Sequence, residues 1–321
     1  MQHSKERKEA VLKKMNNTAT VISICLCTYR RPFLLEKCLK SLLKQTFTLP
    51  TEVVVVDNDS NRSAEKIVQG VKNLFNQEGI VISYMVEPIQ NIAHARNRSV
   101  RASCGHFVAF IDDDERASPR WLETLYQVLL ETGADGVFGP VEPDIPEHFP
   151  EWMHNGLFNR SSRANKSVMP STGMATCNAL IKSALLFMRD GPFDIALGKT
   201  GGSDSDLFAW LQHRGAKFVW SEEALVFETI EEKRKYLRWH LLRAYRGGWG
   251  YSRSIVKKHG ISMGFLVSFT RIIPSFLKAF LKGVSNLNQP RYFMFILLSN
   301  ISTNLGKIGY FFGIKIEEYK G

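Results

Sequence analysis

The chain has 321 residues, 44% of them apolar and 23% charged, which suits an ordinary globular protein with a sizeable core and excludes a disordered or fibrous one. A formal net charge of +11 and a pI near 9.4 call for an anionic partner: a nucleotide diphosphate, an anionic membrane surface or nucleic acid. The five cysteines, at 25, 27, 38, 104 and 177, show no CxxC or Cys/His metal spacing and read as reduced thiols of a cytoplasmic protein.

Residues 1–19 form a polar lead-in, charged where a signal peptide needs an apolar stretch, so export is not expected. Val21 to Cys27 reads as a buried strand that stops at Thr28-Tyr29-Arg30-Arg31-Pro32. Pro32 suits the first turn of a helix, and Phe33, Leu35, Cys38, Leu39 and Leu42 recur at helical spacing. The four valines Val53 to Val56 predict a strand buried on both faces of a parallel sheet, ending at Asp57-Asn58-Asp59. A helix over about Ala64 to Phe75, a strand over Ile80 to Val86 and a helix from Ile92 to about Ser103 follow. A central strand then ends in Asp112-Asp113-Asp114, and Pro119-Arg120-Trp121 opens another helix.

Strands alternating with helices over the first 130 residues predict a doubly wound α/β domain with its functional loops at the strand C-termini. No GxGxxG or P-loop is present, so any anion is held by side chains and a carboxylate-bound cation rather than by a glycine cradle. Three carboxylates closing an apolar strand imply a divalent metal carrying a phosphate, the alternative being a solvated turn. Alternation along the strand places Asp112 and Asp114 on one side, able to face one Mg²⁺ or Mn²⁺, and turns Asp113 away.

CTYRRP, VVVDNDS, NIAHARNRS, FIDDDE and GGSDSDLF, in that order, resemble the family 2 glycosyltransferases of the GT-A fold. CNALI at 177–181, EWMHNGLF at 151–158 and the tail GIKIEEYKG extend the similarity to exopolysaccharide glucosyltransferases of the succinoglycan type. The resemblance implies a Rossmann-like mixed sheet and an inverting hexosyl transfer from a nucleotide-diphospho-sugar, most simply a UDP-hexose, with Mn²⁺ or Mg²⁺. The implied acceptor is a polyprenyl-diphosphate-linked saccharide; nucleic acid is not an implied partner. It assigns Asp57, Thr28 and Arg30 to the nucleotide pocket, places Arg96 and Asn97 at the start of a helix beside it as further donor-binding residues, and gives Arg96 the donor phosphates. Asp114 becomes the direct metal ligand, Asp112 a ribose or metal-water contact, and Asp113 a support. Asn178 is assigned to the donor sugar, although capping a strand end explains it nearly as well.

Asp204 matches the family's general base, with Ser203 standing where relatives usually carry Glu, and Asp206 reads as a helix cap. Trp239 and Arg243 share a helix face, and with Arg246 they are candidates for acceptor or diphosphate binding; a solvated basic face explains each as well. The sequence divides into a lead-in (1–19), a transferase domain (20–230, with nucleotide and acceptor halves meeting near 130) and a helical appendage (231–321).

The appendage mixes apolar runs with Arg271, Lys278, Lys282, Arg291 and Lys307 and offers no uninterrupted stretch of ~20 apolar residues. It is expected to lie on the cytoplasmic face of an anionic inner membrane, peripheral or monotopic. The alternatives are a span over 292–314 and a plain hydrophobic core. A sugar nucleotidyltransferase and a non-catalytic carbohydrate- or membrane-binding module are the rival functions.

Overall fold

The computed structural model describes residues 20–154, 157–158, 162–285 and 288–317. The lead-in, Asn155 and Gly156 of the EWMHNGLF run and the last four residues of the tail lie outside them. Elements follow in the predicted order: β1 (Ile22–Thr28), α1 (Pro32–Leu42), β2 (Thr51–Asp57), α2 (Glu65–Gln77), β3 (Val81–Val86), α3 (Ile92–Ala102) and β4 (Phe107–Ile111). There follow β5 (Glu115–Ala117), α4 (Trp121–Thr132), β6 (Gly136–Phe138), β7 (Val141–Asp144), α5 (Glu151–His154), β8 (Asn178–Lys182), α6 (Ser183–Leu186) and α7 (Ser203–His213). The chain continues through β9 (Phe218–Trp220), β10 (Val226–Thr229), α8 (Leu237–His259), α9 (Ile261–Thr270), α10 (Ile272–Val284) and α11 (Pro290–Phe311).

The main sheet has seven strands in the order β3-β2-β1-β4-β8-β6-β9, parallel except for β8, which runs antiparallel to β4 and β6. Alternation sorts its side chains onto two covered faces. Ile22, Ile24, Leu26, Val53 and Val55 pack with Leu35, Cys38, Val68 and Trp121 from α1, α2 and α4. Cys25, Val54, Val56, Val108 and Phe110 pack with Ala93 and Val100 of α3 and Leu207 and Phe208 of α7. Burial on both faces is why the valine run carries no polar residue. A second sheet, β5-β10-β7, lies at the carboxyl end of β4.

β1 pairs with β2 on one side and β4 on the other, so the order of connection reverses between β1 and β4. At such a switch point the two connecting loops diverge and leave a crevice beyond the strand ends. β4 stops at Ile111, and Asp112 to Asp114 form a turn into β5. The alternation argument for that triplet therefore does not hold, because a turn does not preserve the pleat.

The C-terminal helices pack through small residues. A Cβ at Gly248 of α8 would strike the Thr303 carbonyl of α11, and one at Gly306 of α11 would strike the Tyr245 carbonyl, so glycine sets how closely the two helices approach. Lys307 is buried there, donating from Nζ to Asn304 Oδ1 at 2.9 Å, which removes it from the cations available to a lipid surface. Among the described residues, the segment long and apolar enough to cross a membrane is Ile261–Val284, interrupted at Arg271, and not the alternative span over 292–314. Its Ile261, Leu266, Ile273, Leu277 and Leu281 are exposed.

Candidate active site

The switch point brings together four segments that are distant in sequence. From the end of β1, Thr28 Oγ1 donates to Asp113 Oδ2 at 2.7 Å. From the next residues, Arg31 Nη1 donates to Asp113 Oδ1 at 3.0 Å and to Asp114 Oδ2 at 3.2 Å, while its Nη2 reaches Glu231 Oε1 at 2.6 Å. From the 3-10 turn Glu232–Lys235, Arg234 Nη2 lies 3.6 Å from the same Asp114 Oδ2, and its Nη1 donates to Glu228 Oε1 at 2.8 Å. Arg96 Nη2 lies 3.6 Å from Asp112 Oδ1.

Asp113 therefore turns toward the same guanidinium as Asp114 rather than away from it, and Asp112 lies beside Arg96. Asp113 and Asp114 are buried, whereas the Asp112 side chain is 42% exposed. Burial first, then the neighbouring Asp113 and Asp112, pushes the Asp114 carboxyl up to about 7 against the opposing charge of Arg31. Burial likewise raises Asp113, with Arg31 and Thr28 working against it. Desolvation disfavours the charge of Arg31, but Asp113, Asp114 and Glu231 outweigh it and hold the guanidinium protonated.

Crowded, desolvated carboxylates are a site that a further cation stabilises. The donor set is all oxygen, suited to Mg²⁺ or Mn²⁺ rather than to a soft metal. Asp114, with Asp112 or Asp113, could supply two ligands. No cluster of three or more acidic, His or Cys side chains preassembled around an ion exists among the described residues. The remaining coordination would come from water or phosphate oxygens, as is usual for Mg²⁺.

Several predicted donor contacts are occupied within the protein. Asp57 accepts from the Asp59 and Ala64 amides at 3.0 and 2.8 Å and from Tyr84 Oη at 2.9 Å, fastening the β2–α2 loop. Arg30, at φ 52°, is exposed and pairs with Asp59 at 3.2 Å. Arg96 and Asn97 lie within α3 and not at its start, which Asn91 caps through the Ala93 and His94 amides. Asn97 exchanges two hydrogen bonds with the Phe193 backbone, at 2.8 and 2.9 Å. Asn178 accepts from Trp121 Nε1 at 2.8 Å and donates to the Pro140 and Ala224 carbonyls at 2.8 and 2.6 Å. Its amide has no donor hydrogen left for a sugar, so the strand-end role prevails.

Asp204 opens α7 after Gly201 and Gly202, both at positive φ, and its Oδ1 accepts the Ser205 amide at 2.8 Å. Among the described residues no hydrogen bond or ion pair ties it to the Asp112–Asp114 turn. Ser203 is buried, its hydroxyl without a partner among the described residues. Asp206 is not a cap: it binds Arg189 at 3.0 Å and Lys257 of α8 at 2.6 Å. Burial raises its carboxyl, but those two cations prevail and hold it below the usual range.

Trp239 lies between Arg234 and Arg243, whose guanidinium carbons are 5.1 and 5.2 Å from its ring centroid. It is thus connected to Asp114 through Arg234. Arg246 lines a separate shallow groove with Thr200, Trp249 and Ile316. Sequence reasoning overlooked Arg31, Glu228, Glu231 and Arg234. Only the doubling of arginine before Pro32 marked the first, and the EEKRK run reads as a solvated charged face.

A doubly wound sheet with carboxylates at its switch point describes an α/β transferase suited to phosphate-bearing ligands, and the fold resembles two solved enzymes. The mannosyltransferase PcManGT from Pyrobaculum calidifontis, in complex with GDP-Man and Mn²⁺, superposes with a TM-score of 0.61 at 16% identity, covering 97% of this chain and 95% of that one. S. aureus TarS 1–349 in complex with UDP-GlcNAc superposes at 0.54 with 16% identity and 92% coverage of each chain. Residues 23–186 match the family description Glycosyl transferase family 2. The chain is 35% identical over 257 residues to succinoglycan biosynthesis protein ExoM of Rhizobium meliloti, covering 79% of this chain and 82% of that protein. The protein belongs to glycosyltransferase family 2 and is a glycosyltransferase of the GT-A fold.

Proposed function

We propose that the protein is an inverting hexosyltransferase of exopolysaccharide or related surface-glycan synthesis that takes its sugar from a nucleotide diphosphate donor, most simply a UDP-hexose. The carrying observation is the buried Asp113–Asp114 pair at the β1–β4 switch point, flanked by Asp112, Arg31, Arg96 and Arg234. Carboxylates there suit a divalent ion, and guanidiniums suit diphosphate oxygens. TarS and PcManGT, solved with nucleotide sugars, and ExoM, in succinoglycan synthesis, support this reading.

In this reading Asp112 and Asp114 would hold Mn²⁺ or Mg²⁺, with Asp113 kept in support by Thr28 and Arg31. When bound, the ion would draw charge from the departing nucleotide diphosphate. The chain's own groups do the rest. Asp204, at the start of α7, takes the proton of the acceptor hydroxyl. That hydroxyl attacks the anomeric carbon opposite the leaving diphosphate, turning an α-linked donor into a β-linked product. Arg96 remains the phosphate candidate of α3. Trp239 and Arg243, and Arg246 in its separate groove, are the acceptor-side candidates.

The acceptor we infer is a lipid-linked saccharide at the cytoplasmic face of a membrane, supported by the exposed apolar side chains of α9 and α10 beside Arg271, Lys278 and Lys282. Domain limits of 20–230 for the transferase and 231–321 for the membrane-facing helices fit this division of work. A panel of nucleotide sugars assayed for nucleoside diphosphate release, with and without Mn²⁺, tests the proposal. Metal-dependent turnover of one UDP-hexose is expected. Absence of turnover with every donor, or turnover indifferent to EDTA, overturns it.

A further inference from the structure

Asp114 Oδ2 faces two guanidiniums at once, Arg31 Nη1 at 3.2 Å and Arg234 Nη2 at 3.6 Å. Around the turn, Asp112, Asp113, Asp114, Glu228 and Glu231 are met by Arg31, Arg96 and Arg234, with Lys233 Nζ 2.9 Å from Glu231. Most of these carboxylates thus already face a cation of the protein before any ion arrives. A guanidinium cannot lose its proton to make room for a metal; it has to move or find another anion.

A dication entering alone would place its charge beside two fixed cations of the same sign. A dication arriving with a diphosphate adds almost no net charge and offers the displaced guanidiniums oxygens in bidentate geometry. Arg234 already carries the spare donor for this, since its buried Nε has no hydrogen-bond partner among the described residues. Its main chain is anchored, the Arg234 carbonyl accepting from His240 Nε2 at 2.7 Å, while its guanidinium is held by Glu228 and lies 3.6 Å from Asp114.

We propose that Arg31 and Arg234 act as positioning residues that stand in for the divalent ion, closing Asp114 to free metal and making metal entry conditional on the nucleotide diphosphate. Metal and nucleotide then bind with positive coupling, and because coupling is reciprocal each tightens the other by the same factor. The inference rests on the proposed use of Asp114 as a metal ligand.

Mn²⁺ binding to the full chain in mild detergent, read from the electron paramagnetic resonance signal of free Mn²⁺ with and without UDP, tests it. For the wild type, UDP is expected to tighten Mn²⁺ by about tenfold or more. In Arg31→Met, Mn²⁺ alone should bind about tenfold tighter than to the wild type, and the UDP effect should shrink to about threefold or less. Arg31→Lys, keeping the charge, should retain most of the coupling. Arg234→Met should move in the same direction as Arg31→Met and decides the matter if Arg31→Met melts below the assay temperature. A merely structural role would lower the melting temperature and leave the coupling intact. Unchanged or weaker binding of Mn²⁺ alone in both Met variants overturns the inference while leaving the metal assignment standing. If the wild type takes up no Mn²⁺ even with UDP, or Asp114→Ala takes it up equally well, the metal assignment falls and the inference with it.

Discussion

Replacing Asn178 by Ala separates a structural amide from a sugar-binding one. The side chain joins three pieces of the acceptor side: Trp121 of α4, Pro140 before β7 and Ala224 before β10. Asn178, Trp121 and Ala224 are buried, the last two wholly so, and Pro140 partly. The substitution orphans one indole N–H and the Ala224 carbonyl oxygen, each costing about 1–3 kcal/mol when left unpaired, while the Pro140 carbonyl keeps the Val226 amide at 3.3 Å. Entry of water into the vacated volume relieves part of that, so the expected loss is about 2–4 kcal/mol, in the lower part of the sum. At about 2–4 °C per kcal/mol for a domain of this size, the melting temperature should fall by roughly 10 °C. Urea unfolding followed by circular dichroism in mild detergent measures the loss. Donor KM, taken well below the melting point, should stay close to that of the wild type. A variant of unaltered stability with a sharply raised donor KM would refute the reasoning and return Asn178 to the sugar.

Asp204→Asn keeps the shape of the proposed base but cannot take a proton, so kcat should fall by roughly 10²–10⁴ with donor affinity nearly constant; near-normal turnover would move the base elsewhere. His240 is buried between Phe158 and Phe295, and burial holds its pKa below 6.5, opposed by the Arg234 carbonyl. The unfolded chain thus binds a proton near pH 6.5 that the folded chain resists, so stability is lost as pH falls below that value. The urea midpoint should drop between pH 7.5 and 5.5 in the wild type more than in His240→Phe, and equal pH responses would sink the assignment. For membrane attachment, salt or alkaline carbonate should release the protein if α9 and α10 lie on the surface, whereas a span requires detergent. Recovery in the soluble fraction at low salt would overturn both readings.

The order of elements was legible because it depends on local pattern. The valine run of β2, the helical spacing after Pro32 and the apolar stretch closing in Asp112 each carry their own period, and the structure reproduces them to within a residue or two. The crevice was legible too, since parallel strands joined by helices leave their C-terminal loops at one edge. What each polar group does there was not. Asp57, Asn97 and Asn178 look the same in sequence whether they face ligand or backbone, and only packing showed backbone groups already within hydrogen-bond distance.

The partners of the Asp triplet were equally hidden. Arg31 and Arg234 lie 82 and 120 residues from Asp113 and Asp114 respectively, and no periodicity links positions so far apart. The same holds for Lys307, which the sequence presents as one more cation on an apolar helix. Gly248 and Gly306 draw α8 and α11 close enough to bury it. Period and composition act over a few residues and decide elements and their edges. Which charges meet is set by loop closures across the whole chain, and that only the tertiary structure decides.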